Sequence, residues 1–350
     1  MTTEMHIAGR AIGPGHPVYV IAELSGNHNG DLERALLLIE AAAAAGVDAV
    51  KLQTFTADTI TLDCDAPPFR IHGGTLWDGR TLHSLYRETA TPWEWHPRLI
   101  QAAAARGLHC FSSPFDPTAV DFLESLAVPA YKVASLELVD IPLLRRIAAT
   151  GKPVIVSTGA STLAEIEEGI AALRTAGANE LALLKCTSAY PALPEEMNLR
   201  TIPHLAQAFN APTGLSDHSL GSAVAVAAVV LGACIIEKHF TLARDDGGPD
   251  AVFSMEPTEL RRLVEDIRTA ERALGTVSYA VTAHEQPSRR YRRSLFVVTE
   301  LAQGETITAH HVRSIRPADG LHPRYLGSVL GRRARVSIPR GTPLRWELLD

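Results

Sequence analysis

The chain has 350 residues, 46% of them hydrophobic, and a mean hydropathy of +0.05, which is enough material for one large domain and a small one. A net charge of −6 and a pI of about 6.2 make neither nucleic acid nor an anionic membrane the expected partner. No apolar run is of membrane-spanning length and the first residues lack a signal-peptide core, so a cytoplasmic protein is expected.

Short strand-like runs alternate with helical ones from the start. The first, residues 18–24, leads into "LERALLLIEAAAAAG", which Asp31 is placed to cap and Gly46 to end. The second, 49–55, is followed by a long insertion, 56–90, before helical periodicity resumes at "PWEWHPRLIQAAAARG". An insertion of that length in a compact domain is expected to be functional. Runs at 108–115, 130–137, 153–159, 181–188, 212–217 and 234–240 follow, each with its own helical segment. Thr162 and Glu165 have capping-box spacing, and Gly177 closes that helix. The eight runs are almost continuously apolar, as strands covered on both faces are. Eight strands each followed by a helix predict an α/β fold, a (β/α)8 TIM barrel, over residues 1–282. Residues 283–294 read as a polar linker. Residues 295–350 read as a small β-rich domain with turns at "AQGE" and "PRGTP", expected to pack on a barrel, its own or a partner's.

Two residue types are unevenly used. The four cysteines, Cys64, Cys110, Cys186 and Cys234, are far apart, and three lie in apolar runs, which predicts reduced, buried thiols. Only five of the 33 basic residues are lysines, and Lys51, Lys132, Lys185 and Lys238 sit in apolar strands. A buried ammonium needs a partner. Four in the same context predict a shared anionic ligand.

In a barrel the chemistry lies where strands give way to the following loops. There the chain carries Glu23; Lys51 and Gln53, two apart and so on one face; Ser112 and Ser113; Lys132, Ser135 and Glu137; Ser157 and Thr158; Lys185, Thr187, Ser188 and Tyr190; Ser216, Asp217 and His218; and Glu237 and His239. Lysines, hydroxyls and backbone amides suit a phosphate, and "STGAST" is a loop-to-helix junction of the kind that attracts anions. His218 and His239 fall on neighbouring strands at matching height. With water and a substrate oxygen they form a donor set for a divalent ion such as Mn²⁺.

The motifs "IAELSGNHNGDLERA", "AGVDAVKLQTF", "CFSSPFD", "YKVAS", "STGAS", "LLKCTSAYP", "GLSDHSLG", "IIEKHFTL" and "GGPD" resemble those of the sialic acid synthase family, in order and over nearly the whole chain. The end domain resembles that family's C-terminal antifreeze-like (SAF) domain. Within the family, "GGTLWDGRTLHSLYRE", "TPWEWH" and "SIRPADGLHP" look most like the pseudaminic acid synthase branch. The resemblance implies a transferase that condenses phosphoenolpyruvate with an acylated amino sugar, here 2,4-diacetamido-2,4,6-trideoxy-L-altrose, with loss of phosphate by C–O cleavage. It implies Mn²⁺ or Mg²⁺ on His218 and His239. It further implies phosphoenolpyruvate on Lys51, Ser113, Lys132, Ser135, Ser157 and Ser216, and Glu23 beside the reacting carbons. Gln53, Glu137, Ser188, Tyr190 and Asp250 are placed on the sugar side, and Arg316 would reach across a domain-swapped homodimer. Ser188 stands where neuraminate synthases carry Asn, and Ser113 where they carry Thr. The alternatives are an N-acetylneuraminate or legionaminic acid synthase, a Schiff-base aldolase using Lys51, Lys132 or Lys185, and a non-catalytic sugar-binding protein.

Overall fold

A computed structural model describes residues 4–350 and divides them into two units, one ending at Gly275 and the other running from Thr276 to Asp350. The first unit begins with an antiparallel hairpin of β1 (Met5–Ile7) and β2 (Arg10–Ile12). Eight parallel strands then close into a barrel: β3 (Tyr19–Glu23), β4 (Ala49–Thr54), β5 (His109–Pro114), β6 (Tyr131–Val133), β7 (Val154–Ser157), β8 (Leu181–Cys186), β9 (Thr213–Asp217) and β10 (Ile235–His239), with β10 beside β3. The expected TIM barrel is therefore present.

Strand alternation divides the apolar residues between two cores. Outward residues such as Val20, Val50 and Ile236 pack against helix residues such as Leu38, Ile39 and Leu263. Inward residues, among them Tyr19, Ile21, Phe111, Ile155 and Leu184, fill the barrel together with Met5, Ile7 and Ile12 of the hairpin. The hairpin plugs the N-terminal end of the barrel. Its three side chains are fully buried, each stabilising by roughly 1.5–3 kcal/mol. Strands of three residues are too short to show alternation, so this plug leaves no periodic signal in the sequence.

Helix ends follow their local chemistry. Asp31 accepts from the Glu33 amide, and Gly46 adopts the left-handed conformation, φ 86°, that ends helix Leu32–Ala45. Thr162 and Glu165 form the reciprocal capping box at helix Leu163–Thr175.

Two expectations need correction. The fourth strand does not run from 130 to 137; it stops at Val133, and Ser135–Val139 forms a 3-10 turn. Within this turn Leu138 packs onto Gly169, where a Cβ would come within 2.7 Å of its side chain. The insertion 56–90 is not one loop. It holds helices Ala57–Ile60 and Leu82–Thr89, with a tip closed by a bridge between Arg70 and Thr81.

The second unit pairs β11 (Ser294–Val297) with β12 (Val312–Ile315) and buries a core of its own around Leu295, Val297, Leu301, Ile338 and Leu344. Among the described residues all four cysteines are free, and no helix is long and apolar enough to cross a membrane.

Candidate active site

The inward positions at the C-terminal ends of the strands hold a compact charged cluster. Lys51 Nζ lies 2.8 Å from Glu23 Oε2 and 3.3 Å from Glu237 Oε1, and donates to Ser113 Oγ at 3.3 Å. Gln53 Nε2 donates to the other Glu23 oxygen at 2.8 Å. Across the barrel, Lys132 Nζ donates to Ser157 Oγ at 2.7 Å and lies 3.9 Å from Glu237 Oε1, which also accepts from Ser216 Oγ at 3.2 Å. Two ammoniums thus face two carboxylates, all nearly or fully buried. Each charge is tolerable there because its partners are.

Burial and charge push the two carboxylates apart. Glu23 is raised, burial outweighing the attraction of Lys51. Glu237 is lowered, because Lys132 and Lys51 together overcome its burial. Lys51 rises to about 12: burial opposes its charge, but Glu23 and Glu237 hold it. Lys132 is lowered, chiefly by burial.

The shared context of four lysines does not carry through. Lys185 follows Leu181 and Leu183 on the outward face of β8 and donates to the Cys186 carbonyl at 2.7 Å. Lys238 is also outward, paired with Asp217 at 2.9 Å and bonded to the Ser219 carbonyl. Period-two alternation excludes both from the barrel interior, so only Lys51 and Lys132 face an interior ligand. The loop-to-helix junction is partly committed to the protein itself: the Glu165 carboxylate accepts the Thr162 amide at 2.7 Å and Thr162 Oγ1 accepts the Glu165 amide. The inward donors lie upstream, where Gly159 N–H donates to Ser135 Oγ at 3.2 Å. A Cβ on Gly159 would sit 2.2 Å from Ser188 Oγ and 2.8 Å from Ser135 Oγ, so only glycine leaves this cradle open.

Toward the mouth, the rings of His218 and His239 are 5.2 Å apart. His218 Nδ1 is 3.0 Å from the Thr187 carbonyl, which can only accept, so Nδ1 carries the proton and Nε2 remains a donor atom. His239 Nδ1 is buried without a hydrogen-bond partner, 3.9 Å from Asp250 Oδ2. Burial, with His218 and Lys51 adding to it, holds His239 well below the usual imidazole range and therefore neutral. Burial would also lower His218, but the adjoining Cys186 and the Thr187 carbonyl raise it. Burial raises Cys186, yet the adjoining His218 brings it down to about 7. Among the described residues no three His, Cys, Asp or Glu side chains gather to enclose a metal unaided. The two imidazoles still fit a divalent ion that takes its remaining ligands from water and substrate.

Tyr190 packs on His218 at 4.3 Å and meets Phe253 at 5.0 Å. Asp250 is raised by burial, which outweighs the lowering effect of nearby Ser25 and the Gly26 backbone. Glu137 stands on the 3-10 turn after β6, raised by burial to about 7 although Lys132 and Lys51 oppose this. Arg316 is exposed in the second unit, just past β12. Of the expected site residues, Glu23, Lys51, Gln53, Ser113, Lys132, Ser157 and Ser216 therefore converge in the interior. Ser135 and Ser188 line the Gly159 cradle, and His218, His239, Tyr190 and Asp250 form the mouth. From sequence, Glu237 was named beside His239 at the strand end but given no role, and Cys186, the inward neighbour of Lys185, was read only as a buried thiol. Phe253 and Trp77, which have no periodic signature, were missed.

Residues 38–279 match the NeuB family and residues 292–350 the SAF domain. A pseudaminic acid synthase of Campylobacter jejuni is 43% identical over 328 residues, covering 94% of this chain and 95% of its own. An N,N'-diacetyllegionaminic acid synthase of Legionella pneumophila is 36% identical, covering 97% of this chain and 96% of its own. Among solved structures, an N-acetylneuraminic acid synthetase of Leptospira borgpetersenii, crystallised with citrate, superposes with a TM-score of 0.72 at 30% identity, over 82% of this chain and 95% of its own.

Proposed function

The chain belongs to the NeuB family, and we propose that it makes pseudaminic acid by condensing phosphoenolpyruvate with 2,4-diacetamido-2,4,6-trideoxy-L-altrose, releasing phosphate. The higher identity to a pseudaminic acid synthase, 43% against 36% for the legionaminic acid enzyme, supports this choice of sugar. The observation that carries the chemistry is the interior cluster: two inward lysines balanced by Glu23 and Glu237, directly below paired imidazoles.

Lys51 and Lys132, with Ser113, Ser135, Ser157 and Ser216, bind the phosphate and carboxylate of phosphoenolpyruvate. An incoming anion competes for ammoniums that the carboxylates already hold in place, so little reorganisation is needed on binding. Glu23 and Glu237 have pKa values pushed in opposite directions, the signature of separated acid and base roles. Glu23, raised and held by Gln53, is the group that carries and returns a proton as water adds at C2 and phosphate leaves. Gln53, Glu137, Ser188, Tyr190 and Asp250 orient the sugar. His218 and His239 would hold Mn²⁺ or Mg²⁺, which supplies Lewis-acid polarisation of the sugar carbonyl. Arg316 completes the sugar site in a partner's barrel, in a domain-swapped homodimer.

The test is phosphate release from phosphoenolpyruvate in the presence of Mn²⁺ and a panel of acylated hexosamines, with the product identified by mass. A higher kcat/KM for N-acetylmannosamine than for the diacetamido sugar would reverse the assignment within the family.

A further inference from the structure

We infer that Trp77, at the tip of the insertion, is a specificity-determining residue that supplies an apolar wall for the acceptor sugar. This rests on the reading of the acceptor as a deoxygenated, doubly acylated amino sugar. The tip is built rather than loose. Ile71 N–H donates to the Arg80 carbonyl at 2.9 Å and Gly79 N–H to the Ile71 carbonyl at 3.0 Å, closing the loop as a hairpin would. Inside it, the Asp78 carboxylate accepts from the Gly74 and Thr75 amides at 2.8 and 2.9 Å and from Thr75 Oγ1 at 2.7 Å. From Gly73 to Gly79 every residue is exposed except Trp77.

Trp77 is turned onto the mouth of the barrel. Its indole Nε1–H donates to the Pro249 carbonyl at 3.2 Å, immediately before Asp250. Its ring lies edge-on to Tyr190 at 5.9 Å, and Tyr190 in turn packs on His218. The only polar group of the indole is therefore spent on the protein. What remains to meet a ligand is aromatic surface, continuous with Tyr190 and Phe253.

The chemistry of the two candidate sugars makes this wall selective. Relative to N-acetylmannosamine, the proposed acceptor replaces one hydroxyl by an acetamide and a hydroxymethyl by a methyl. The second change exchanges polar for apolar surface, and the first adds a methyl group while keeping an amide donor and acceptor. A wall that contacts one such group discriminates by about 10- to 200-fold.

The experiment is steady-state kinetics of Trp77→Ala and Trp77→Phe with phosphoenolpyruvate and the diacetamido sugar. Trp77→Ala is expected to lower the sugar kcat/KM by about 10- to 200-fold, mostly through KM, while the phosphoenolpyruvate KM stays within about twofold. Trp77→Phe is expected to keep most of the activity. Asp78→Ala, which releases the tip, should raise the sugar KM in the same direction. An unchanged sugar KM in Trp77→Ala, or an equal rise in both substrates' KM, overturns the inference. Wild-type enzyme that turns over N-acetylmannosamine in preference to the diacetamido sugar overturns the functional reading, and the inference with it.

Discussion

Lys132 and Glu237 stand on opposite walls of the barrel, four strands apart in either direction, yet Lys132 Nζ comes within 3.9 Å of Glu237 Oε1. Glu237 is thereby shared between both interior lysines, since Lys51 reaches the same oxygen at 3.3 Å. Removing one partner of a buried ion cluster leaves an uncompensated charge and costs about 3–5 kcal/mol. Glu237→Gln should therefore lower stability by an amount of that order, read as the shift in a denaturant midpoint. It should also lower the KM for phosphoenolpyruvate, because a negative charge is taken from the anion's site, while kcat falls. A variant that is as stable as wild type and binds phosphoenolpyruvate more weakly would contradict this account of Glu237.

Glu137 offers a pH test away from the histidines. Burial raises its carboxyl to about 7 in the folded protein, against an ordinary value of 4.5. A raised acid contributes stability that is fully present below the unfolded pKa and is lost as pH rises through the folded one. The loss should fall between about pH 4.5 and 7 and amount to at most roughly 3 kcal/mol. Glu137→Gln, which cannot ionise, should match wild type near pH 4 and exceed it in thermal stability at pH 8. Parallel stability curves for the two proteins across that range would show that the Glu137 carboxylate is not penalised.

How much of this was legible beforehand depended on which physical signal each residue leaves. The barrel strands announced themselves because burial on both faces writes continuous apolar runs, and the caps at Asp31 and Thr162 lie where local chemistry alone decides. The pairing of His218 with His239 followed from strand adjacency. The lysines were harder. Lys185 and Lys238 share the apolar context of Lys51 and Lys132, and only strand parity separates outward from inward. The turn that carries Ser135 and Glu137 was hidden inside an apolar run, and Leu138 within it is seated against Gly169, a contact between elements distant in sequence. Trp77 reaches the mouth by a hydrogen bond to Pro249, 172 residues away, which no local pattern encodes.

The paired imidazoles predict a metal requirement with a readout independent of turnover. Wild-type protein should bind one Mn²⁺ per chain, measured by the loss of the free-ion resonance signal or by calorimetry. His218→Ala and His239→Ala should each abolish that binding at micromolar protein, and each should lose most activity, which excess Mn²⁺ restores only in part. Thr187 contributes through its backbone carbonyl, so Thr187→Ala should leave metal binding nearly intact. Undiminished Mn²⁺ affinity in His239→Ala would remove the two-histidine site.

The last prediction concerns Arg316. It is exposed beyond β12, in a unit that carries twelve arginines against six carboxylates, whereas the chain as a whole has a net charge of −6. The rest of the protein is therefore strongly acidic. A guanidinium offers a planar fork of donors suited to an acyl carbonyl or a carboxylate. If Arg316 completes the sugar site of a partner, Arg316→Ala should raise the sugar KM and leave the phosphoenolpyruvate KM nearly unchanged. The arrangement in trans has a sharper test. Mixing Arg316→Ala subunits with His239→Ala subunits creates dimers in which one site receives wild-type arginine and retains wild-type histidine, while the other carries both defects. Activity should rise above that of either parent, toward half of wild type per mixed dimer. Mixed dimers that form and stay as inactive as their parents would place Arg316 in its own chain's site or in none.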